Sequence, residues 1–356
     1  MLKHLRQKAV TMVALSALTF FASIPTVIAQ SGNTQTNANN TTKNCICDSK
    51  DPFDPRSKMP KGAFKGQCLS CEQRSVRMLS IAEAAPYKPA PGMMVFANFK
   101  HKGKYWVAQI PKNAVEDAIF QIQYFNVLPS PYSAHGQMRF HLKPGREAIL
   151  IPQSATNRRQ KAIRMRDFIY SANAIWLRSG VWDPVSGLVD FYAVAHEIVG
   201  LEDRIQDAVK YPFTDRIEQI RLALTEQQKQ QLLLNVIMQG DRDRTNLMYD
   251  TLNRNCTTES LRAIDRTIGY QPKSPQEKQE YFLGIPTGPE LNEALLNQKL
   301  SPETLNDLLT EQVQRMPRFE LPTPPLDAIV RRGLVDPRKM PNLEVEFATE
   351  FSSRKR

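Results

Sequence analysis

The sequence predicts an α+β fold in which an antiparallel sheet packs on a helix that begins at Cys256. Apolar and polar residues alternate over 137–142, which is the pattern of a strand with one buried face. Other short strands precede this one from Met93 onward. Thr225 and Gln228 form a capping-box pattern at the start of one helix, and Cys256 opens a second helix with its own apolar stripe.

The first 29 residues have the pattern of a secretory signal peptide. Lys3, Arg6 and Lys8 form a basic region before a mostly apolar stretch, and Ala29 is a suitable cleavage point. The apolar stretch is too short and too interrupted for a good membrane span, although an uncleaved anchor is the alternative. Cleavage would lower the formal net charge from +11 to +8, because this segment carries three basic and no acidic groups. We therefore expect an exported, periplasmic and still basic protein.

Composition divides the rest of the chain into four segments. Residues 30–44 are polar and almost without apolar side chains, which predicts a flexible linker. Residues 45–89 contain the paired cysteines. The main α+β domain is expected over 90–275. Residues 276–356 are rich in proline and predict a C-terminal extension of short helices with an extended, partly wrapped tail.

Four of the five cysteines lie in two close pairs near the N-terminus, Cys45 with Cys47 and Cys68 with Cys71. In an oxidising compartment they should form two disulfides. A bridge inside Cys45-Ile-Cys47 would be strained, so we expect bonds from the first pair to the second, in either order. The same spacing allows an all-cysteine zinc site as the alternative. In both cases Cys256 stays free.

The remaining elements follow from local patterns. The expected elements are a short helix around 76–85, strands over 93–99, 105–110 and 118–127, a hairpin of 135–142 with 147–151, a helix over 167–178, a strand at 220–224, and helices over 225–240 and 256–269. Residues 186–209 are ambiguous. The expected hairpin places His135 and His141 on one polar face and, with a turn at Gly145, places Glu147 opposite His141.

A free cysteine at a helix start is a candidate nucleophile, because the exposed N–H groups and the helix dipole there favour the thiolate. The alternative is that Cys256 is a small buried apolar residue. A thiol nucleophile needs a base, and His135 is the best placed of the five histidines. His196 lies in a sequence that lacks the second histidine of the zinc-protease helix motif, so a metal site there is not favoured.

Two short motifs carry a resemblance to a known family. Residues 132–140 (YSAHGQMRF) and 249–257 (YDTLNRNCT) are similar to the bacterial envelope family that contains the N-terminal periplasmic domain of the lipoprotein intramolecular transacylase Lnb. The order of a histidine strand followed by an Asn-Cys helix start also resembles the circularly permuted papain-like thiol enzymes, a group that includes lecithin:retinol acyltransferase. The resemblance covers roughly 90–270.

The resemblance implies a permuted papain-like fold and acyl chemistry through a thioester. Cys256 would be the nucleophile and His135 the general base. Backbone N–H groups near the start of the Cys256 helix would bind the oxyanion, with Asn255 and Thr257 as capping or orienting residues.

The family also implies a third polar group on the strand after the histidine. Glu147 holds that position here, and a carboxylate can orient an imidazolium. His141 and Gln153 are the alternatives. The chain departs from the transacylase in one respect, because that protein continues into membrane helices whereas this one continues into a proline-rich segment.

Three functional interpretations remain open from the sequence. The first is an acyltransferase or hydrolase acting on a lipid, a lipoprotein or a related acyl substrate. The second is a papain-like peptidase or amidase acting on cell-wall peptides. The third is a non-catalytic envelope protein that binds wall or lipid. A basic charge suits contact with an anionic membrane or wall surface, and it also favours solubility. We expect no cofactor, no metal and no nucleic-acid partner, and the oligomeric state is left open.

Overall fold

A computed structural model describes eight stretches of the chain. They are residues 45–62, 64–125, 134–155, 160–178, 191–210, 214–250, 254–271 and 325–352. Together they form a mixed α+β structure with one large sheet and few helices. The expected signal peptide and linker lie outside the described residues, as does the first part of the C-terminal extension.

The described residues contain ten strands in one sheet. In chain order they are β1 (Arg77–Met78), β2 (Met93–His101), β3 (Lys104–Pro111), β4 (Val115–Phe125), β5 (Ala134–Leu142), β6 (Ala148–Pro152), β7 (Ile163–Met165), β8 (Asp167–Ile175), β9 (Ala193–Gly200) and β10 (Thr214–Arg221). Their spatial order is β10-β4-β5-β8-β9-β2-β3-β6-β7, and β1 pairs with β2. β2 and β9 run parallel, and the other pairs in this order are antiparallel.

The sheet curls back on itself. β7 leads into β8 through Arg166 alone, so the run β8-β9-β2-β3-β6-β7 begins and ends in one continuous stretch of chain. In a flat sheet β8 and β7 would be separated by five strand spacings of about 4.8 Å, which is about 24 Å. The single residue between them cannot span that distance. The run is therefore rolled towards a barrel, and β5, β4 and β10 extend from it.

The expected hairpin of 135–142 with 147–151 is wrong. β5 and β6 are joined by a turn with Gly145 at a φ of 75°, but they do not pair with each other. β4 and β8 take both edges of β5, whereas β6 pairs with β3 and β7. The partner that displaces β6 from β5 lies about thirty residues further along the chain, beyond the reach of a local pattern.

The expected helix over 167–178 is also wrong, because this segment forms β8. Apolar residues such as Phe168 and Tyr170 point to one face of β8 and are buried in the core. The polar residues Ser171 and Asn173 point to the other face. The ambiguous segment 186–209 contains β9 and all but the last residue of the helix Leu201–Lys210, with residues 186–190 outside the described part.

The described residues also form seven α-helices. They are α1 (Ile81–Ala84), α2 (Leu201–Lys210), α3 (Glu226–Asp243), α4 (Cys256–Ile268), α5 (Pro325–Arg331), α6 (Leu343–Glu346) and α7 (Ala348–Ser352). The capping box expected before α3 is confirmed, since Thr225 and Gln228 bond reciprocally. α4 ends as expected at Gly269, whose φ of 70° is the left-handed conformation that glycine adopts at little cost.

The two faces of the sheet are covered differently. We call the face that α3 and α4 cover the inner face, and the opposite one the outer face. Inner-face residues such as Phe120, Phe140 and Phe168 are fully buried with Val236 of α3 and Leu261 of α4 in the main core. On the outer face, α2 packs with α6 and α7 over a smaller apolar cluster.

The N-terminal segment is held by two disulfides, Cys45–Cys68 and Cys47–Cys71. Two bonds from the first pair to the second were expected, and the structure gives their order. The segment covers another part of the outer face, where Phe53 packs in one cluster with Val95 and Val107. Because disulfides persist in oxidising compartments, this feature indicates an exported protein.

Residues 325–352 pack on the same fold, and they are more helical than the extended tail that was expected. Ala328 and Ile329 of α5 are buried in the main core. Arg332, just after α5, forms a buried bidentate ion pair with Asp265 of α4, at 2.5 and 2.9 Å. The proline-rich composition that suggested an extended chain is therefore compatible with short helices fixed by specific contacts.

In the part of the chain that the structure describes, no helix is long and apolar enough to cross a membrane.

Candidate functional site

Cys256 is the first residue of α4 and is buried, with 6% of its surface exposed. Asn255 caps the helix, because its side-chain oxygen accepts the backbone N–H groups of Thr257 and Thr258, both at 2.9 Å. Thr258 Oγ1 in turn accepts the backbone N–H of Asn255. This reciprocal arrangement fixes the first turn of α4 and with it the position of the thiol.

The start of α4 lies directly on Gly136 of β5. A Cβ atom at Gly136 would stand 2.6 Å from Thr257 Oγ1 and 2.8 Å from Thr257 Cα, so only glycine fits there. The backbone N–H of Gly136 is directed at the Cys256 sulfur. Because Gly136 has no side chain, its N–H can approach the thiol. The thiol thus faces a backbone donor from β5 in addition to the donors of α4.

Burial raises the pKa of the Cys256 thiol, because a thiolate loses its hydration there. Hydrogen bonds act in the opposite direction. They come from the N–H of Gly136, from the hydroxyl and N–H of Thr257, and from the hydroxyl of Tyr249. The net direction is upward, so the resting thiol is protonated near neutral pH. The helix start alone does not produce the thiolate that the sequence suggested.

His135 lies on the outer face, across the sheet from Cys256. Gly136 faces α4, and successive side chains of a strand point to opposite faces, so His135 points away. Its Nε2 lies 2.9 Å from Ser171 Oγ and 3.1 Å from Nη2 of Arg204 in α2. Burial, and then the charge of Arg204, hold the pKa of His135 well below its ordinary value. The structure does not bring His135 and Cys256 together.

Glu147 lies far from both residues. It sits in the turn after β5, where it accepts the N–H of Gly145 at 3.0 Å and pairs with Arg164 at 3.5 Å. His135 is at the other end of β5, about 23 Å away along seven residues of strand. The hydrogen bond to its own backbone and that to Gly145 lower the pKa of Glu147. It does not orient the His135 imidazole.

The two alternatives for the third group also bond elsewhere. Nδ1 of His141 lies 2.9 Å from both carboxylate oxygens of Asp167, at the far end of β5 from His135. Gln153 donates to Asp51 at 2.9 Å and accepts the N–H of Asn98 at 2.7 Å. Gln153 therefore ties the N-terminal segment to β2.

Sequence reasoning missed a row of buried polar side chains across the outer face. Gln219, Gln121 and Gln137 are in register on the adjacent strands β10, β4 and β5. Ser171 and Glu197 are in register on β8 and β9, which continue the sheet from β5. Gln137 donates to Gln121 at 2.8 Å, and Gln121 donates to Gln219 at 2.7 Å. In the sequence, this row appears only as polar residues at alternate positions of several strands. An exposed sheet face gives the same pattern, so the sequence does not show that these residues are buried.

His196 of β9 was assigned no role from the sequence, and it lies on the inner face. Its Nδ1 is 2.8 Å from the Tyr170 hydroxyl, and its Nε2 is 3.7 Å from Asp243 Oδ2 of α3. Burial lowers the pKa of His196. Its neighbours place it between the sheet and α3.

In the described parts of the chain, no group of three or more His, Cys, Asp or Glu side chains could hold a metal ion. The four N-terminal cysteines are bonded to one another rather than to zinc.

No protein-family model, no curated protein and no solved structure matches this chain. The interpretation of the site therefore depends on its geometry and on the motif resemblance.

Replacing Asn255 with alanine is expected to lower the free energy of unfolding by about 1–2 kcal/mol, because two N–H groups at the buried start of α4 lose their acceptor. Urea unfolding followed by circular dichroism measures this. Asn255→Asp keeps the accepting oxygen and should retain most of the stability. Equal losses in the two variants would show that the cap is not what stabilises the start of α4.

Proposed function

We propose that this protein is an exported, periplasmic thiol enzyme that forms a thioester on Cys256 with the acyl group of a lipid, a lipoprotein or a related envelope substrate. Its fold would be permuted papain-like, and its family that of the Lnb periplasmic domain. The motif resemblance, the N-terminal signal pattern and the disulfides support this assignment. A formal charge of +8 after cleavage suits contact with an anionic membrane or wall surface.

The observation that carries the proposal is the setting of the Cys256 sulfur. It faces N–H groups from two separate elements, Gly136 of β5 and Thr257 of α4, and the hydroxyl of Tyr249. The N–H of Gly136 and the hydroxyl of Tyr249 can stabilise negative charge on the sulfur, whereas the N–H of Thr257 is shared with Asn255 Oδ1, which accepts it at 2.9 Å. In the proposed reaction the sulfur bonds to the acyl carbon, and the leaving group departs with the thiol proton. Water or an amine then accepts the acyl group.

A Cys-His mechanism would also require His135 to reach the inner face. A one-residue slip of β5 would bring it there only by moving Arg139 into the apolar core and Phe140 out of it, and by removing Gly136 from the start of α4. In the structure His135 stays on the outer face, where it contacts Ser171 and Arg204. The proposal therefore depends on Cys256 and its donors, and it assigns His135 no contact with the thiol.

The substrate class can be tested by incubating the purified protein separately with a diacylated lipopeptide and with muropeptides. Mass spectrometry of the products should show loss or transfer of an acyl group from the lipopeptide, and Cys256→Ala should abolish it. Gln227→Ala, at an exposed position in the first turn of α3, serves as a folded control. Cleavage of muropeptides alone would favour a peptidase or amidase, and equal turnover by Cys256→Ala would contradict the proposal.

A non-catalytic envelope-binding protein is the second candidate. The buried, protonated Cys256 and the separation of His135 from it favour this alternative. In that case the thiol would be an inert core group. Binding to anionic vesicles or wall fragments that is unchanged in Cys256→Ala, together with no acyl product, would support it.

A further inference from the structure

The disulfide-bonded N-terminal segment contains a strongly basic hairpin over residues 55–71. Lys58 pairs with Cys68 across this hairpin, and the N–H of Met59 donates to the carbonyl of Gln67 at 2.8 Å. The hairpin has four cations and no acidic residue. The four cations, all of them exposed, are Arg56, Lys58, Lys61 and Lys65.

The hairpin has a fixed orientation on the sheet, because Met59 anchors it. Met59 is 2% exposed and packs in one apolar cluster with Ile175 of β8 and Ala193 of β9. Neighbouring residues of an extended segment point to opposite sides. Lys58 therefore points away from the sheet, where its ammonium group meets solvent.

Arg178 adds a fifth exposed cation to the same surface. Leu69 pairs with Leu177, and the N–H of Arg178 donates to the carbonyl of Cys68 at 2.9 Å. Cys68 thus lies between Lys58 and Arg178, and directly paired residues point to the same face. Two strand spacings separate the backbones of Lys58 and Arg178, which is about 10 Å. We call the surface formed by Arg56, Lys58, Lys61, Lys65 and Arg178 the hairpin surface.

The nearest carboxylates do not neutralise the hairpin surface. Asp51 and Asp54 are turned inward, where they lie 2.6 and 3.7 Å from the guanidinium of the buried Arg74. Among the described residues, no carboxylate forms an ion pair with any of the five cations of the surface. Elsewhere many exposed cations are paired, as Lys102 is with Glu202 at 3.3 Å.

The other charges of the N-terminal segment lie at the edge of the hairpin surface and offset one another. Asp48 accepts the hydroxyl of Ser154 at 2.5 Å and is under the charge of Lys50. Glu72 is exposed, and the ammonium group of Lys100 donates to its backbone oxygen at 2.8 Å. Two cations therefore accompany these two carboxylates, and the five charges of the hairpin surface remain in excess.

We propose that the hairpin surface docks the protein on the phosphate headgroups of an anionic phospholipid bilayer. Clustered lysines and arginines at an exposed surface are attracted to such headgroups. A single-stranded nucleic acid fits less well, because the one aromatic ring of the hairpin, Phe64, packs against Phe191 with the centroids 5.3 Å apart. The proposal shares the exported location with the proposed function, and it does not depend on Cys256.

Flotation of the full chain with vesicles tests the docking surface. We expect binding to vesicles of phosphatidylcholine and phosphatidylglycerol in equal parts, and none to vesicles of phosphatidylcholine alone. Each charge removed from the surface should weaken binding about fivefold, so Lys58→Gln with Lys61→Gln should weaken it about 25-fold. Raising the sodium chloride concentration should also weaken binding of the wild-type protein.

Lys210→Gln with Lys339→Gln is the matched control, because it removes two exposed cations at the end of α2 and before α6. Its binding should stay within about twofold of wild type, since these charges lie outside the surface. Cys256→Ala should bind vesicles as wild type does, so failure of the thiol chemistry would leave this result unchanged.

Three results would overturn the proposal. The first is equal binding to the neutral and the anionic vesicles, or binding that salt does not weaken. The second is an equal loss in the two double variants, which would show that net charge and not the hairpin surface attracts the protein. The third is retention on an anionic polymer such as polyphosphate without any binding to vesicles.

Discussion

Arg332→Ala is expected to lower the free energy of unfolding by about 3–5 kcal/mol, because it leaves the buried carboxylate of Asp265 without its guanidinium partner. The Arg332 side chain is fully buried, and its bidentate pair joins the C-terminal segment to α4. It also donates to Ala328 and lies 4.4 Å from the centroid of the Tyr270 ring. Urea unfolding should show a lower midpoint with an unchanged slope.

Arg331→Ala is the matched control, since this neighbouring arginine is exposed. Its effect should stay within about 1 kcal/mol, the usual range for an exposed charge. A double variant, Arg332→Met with Asp265→Leu, should recover part of the loss, because no charge is then left buried. If Arg332→Ala has the same urea midpoint as the wild-type protein, the ion pair of Arg332 with Asp265 does not anchor the C-terminal segment to α4.

Gly136→Ala is expected to destabilise the protein by about 1–3 kcal/mol, the usual cost of overpacking. The added methyl group would overlap Thr257 Oγ1 and come within 2.8 Å of the Thr257 backbone, which cannot rotate away. The start of α4 would then be displaced together with Cys256. A displacement of about 1 Å should reduce thioester formation by about a hundredfold. Urea unfolding and single-turnover acylation measure the two effects.

Gly145→Ala is the control for this substitution. A Cβ atom at Gly145 meets nothing within 4 Å, so the change costs only the strain of its left-handed backbone, about 1 kcal/mol. Gly145 lies at the other end of β5, and acylation of Cys256 should be unaffected. Equal acylation by Gly136→Ala and wild type would show that the close contact of α4 with β5 does not position the thiol.

The features that the sequence predicted correctly depend on near neighbours in the chain. The capping box at Thr225, the helix that begins at Cys256 and the glycine that ends it are determined within one helical turn. The disulfides follow from the strain of a bridge between Cys45 and Cys47, which forces each of them to bond to a distant cysteine. In these cases local stereochemistry restricts the choice to one or two possibilities.

The features that the sequence did not predict depend on which strands become neighbours. Nothing within the segment 134–152 shows that β8 will take the edge of β5 in place of β6. The same applies to the candidate site. The His135 and Cys256 motifs predict two reactive groups, but they do not show which face of the sheet His135 occupies. A change of one residue in the position of β5 relative to α4 reverses that face. Gly136, rather than His135, occupies the position that faces α4.

The central claim is that Cys256 acts as a nucleophile, and trapping its acyl adduct tests this most directly. The folded full-length protein would be mixed with a diacylated lipopeptide, quenched in acid and mapped by mass spectrometry. We expect a hydroxylamine-sensitive acyl group on the peptide that contains Cys256, and none in Cys256→Ala. An unmodified Cys256 in the folded protein, with a thiol that reacts only after unfolding, would contradict the account and leave Cys256 as a structural residue.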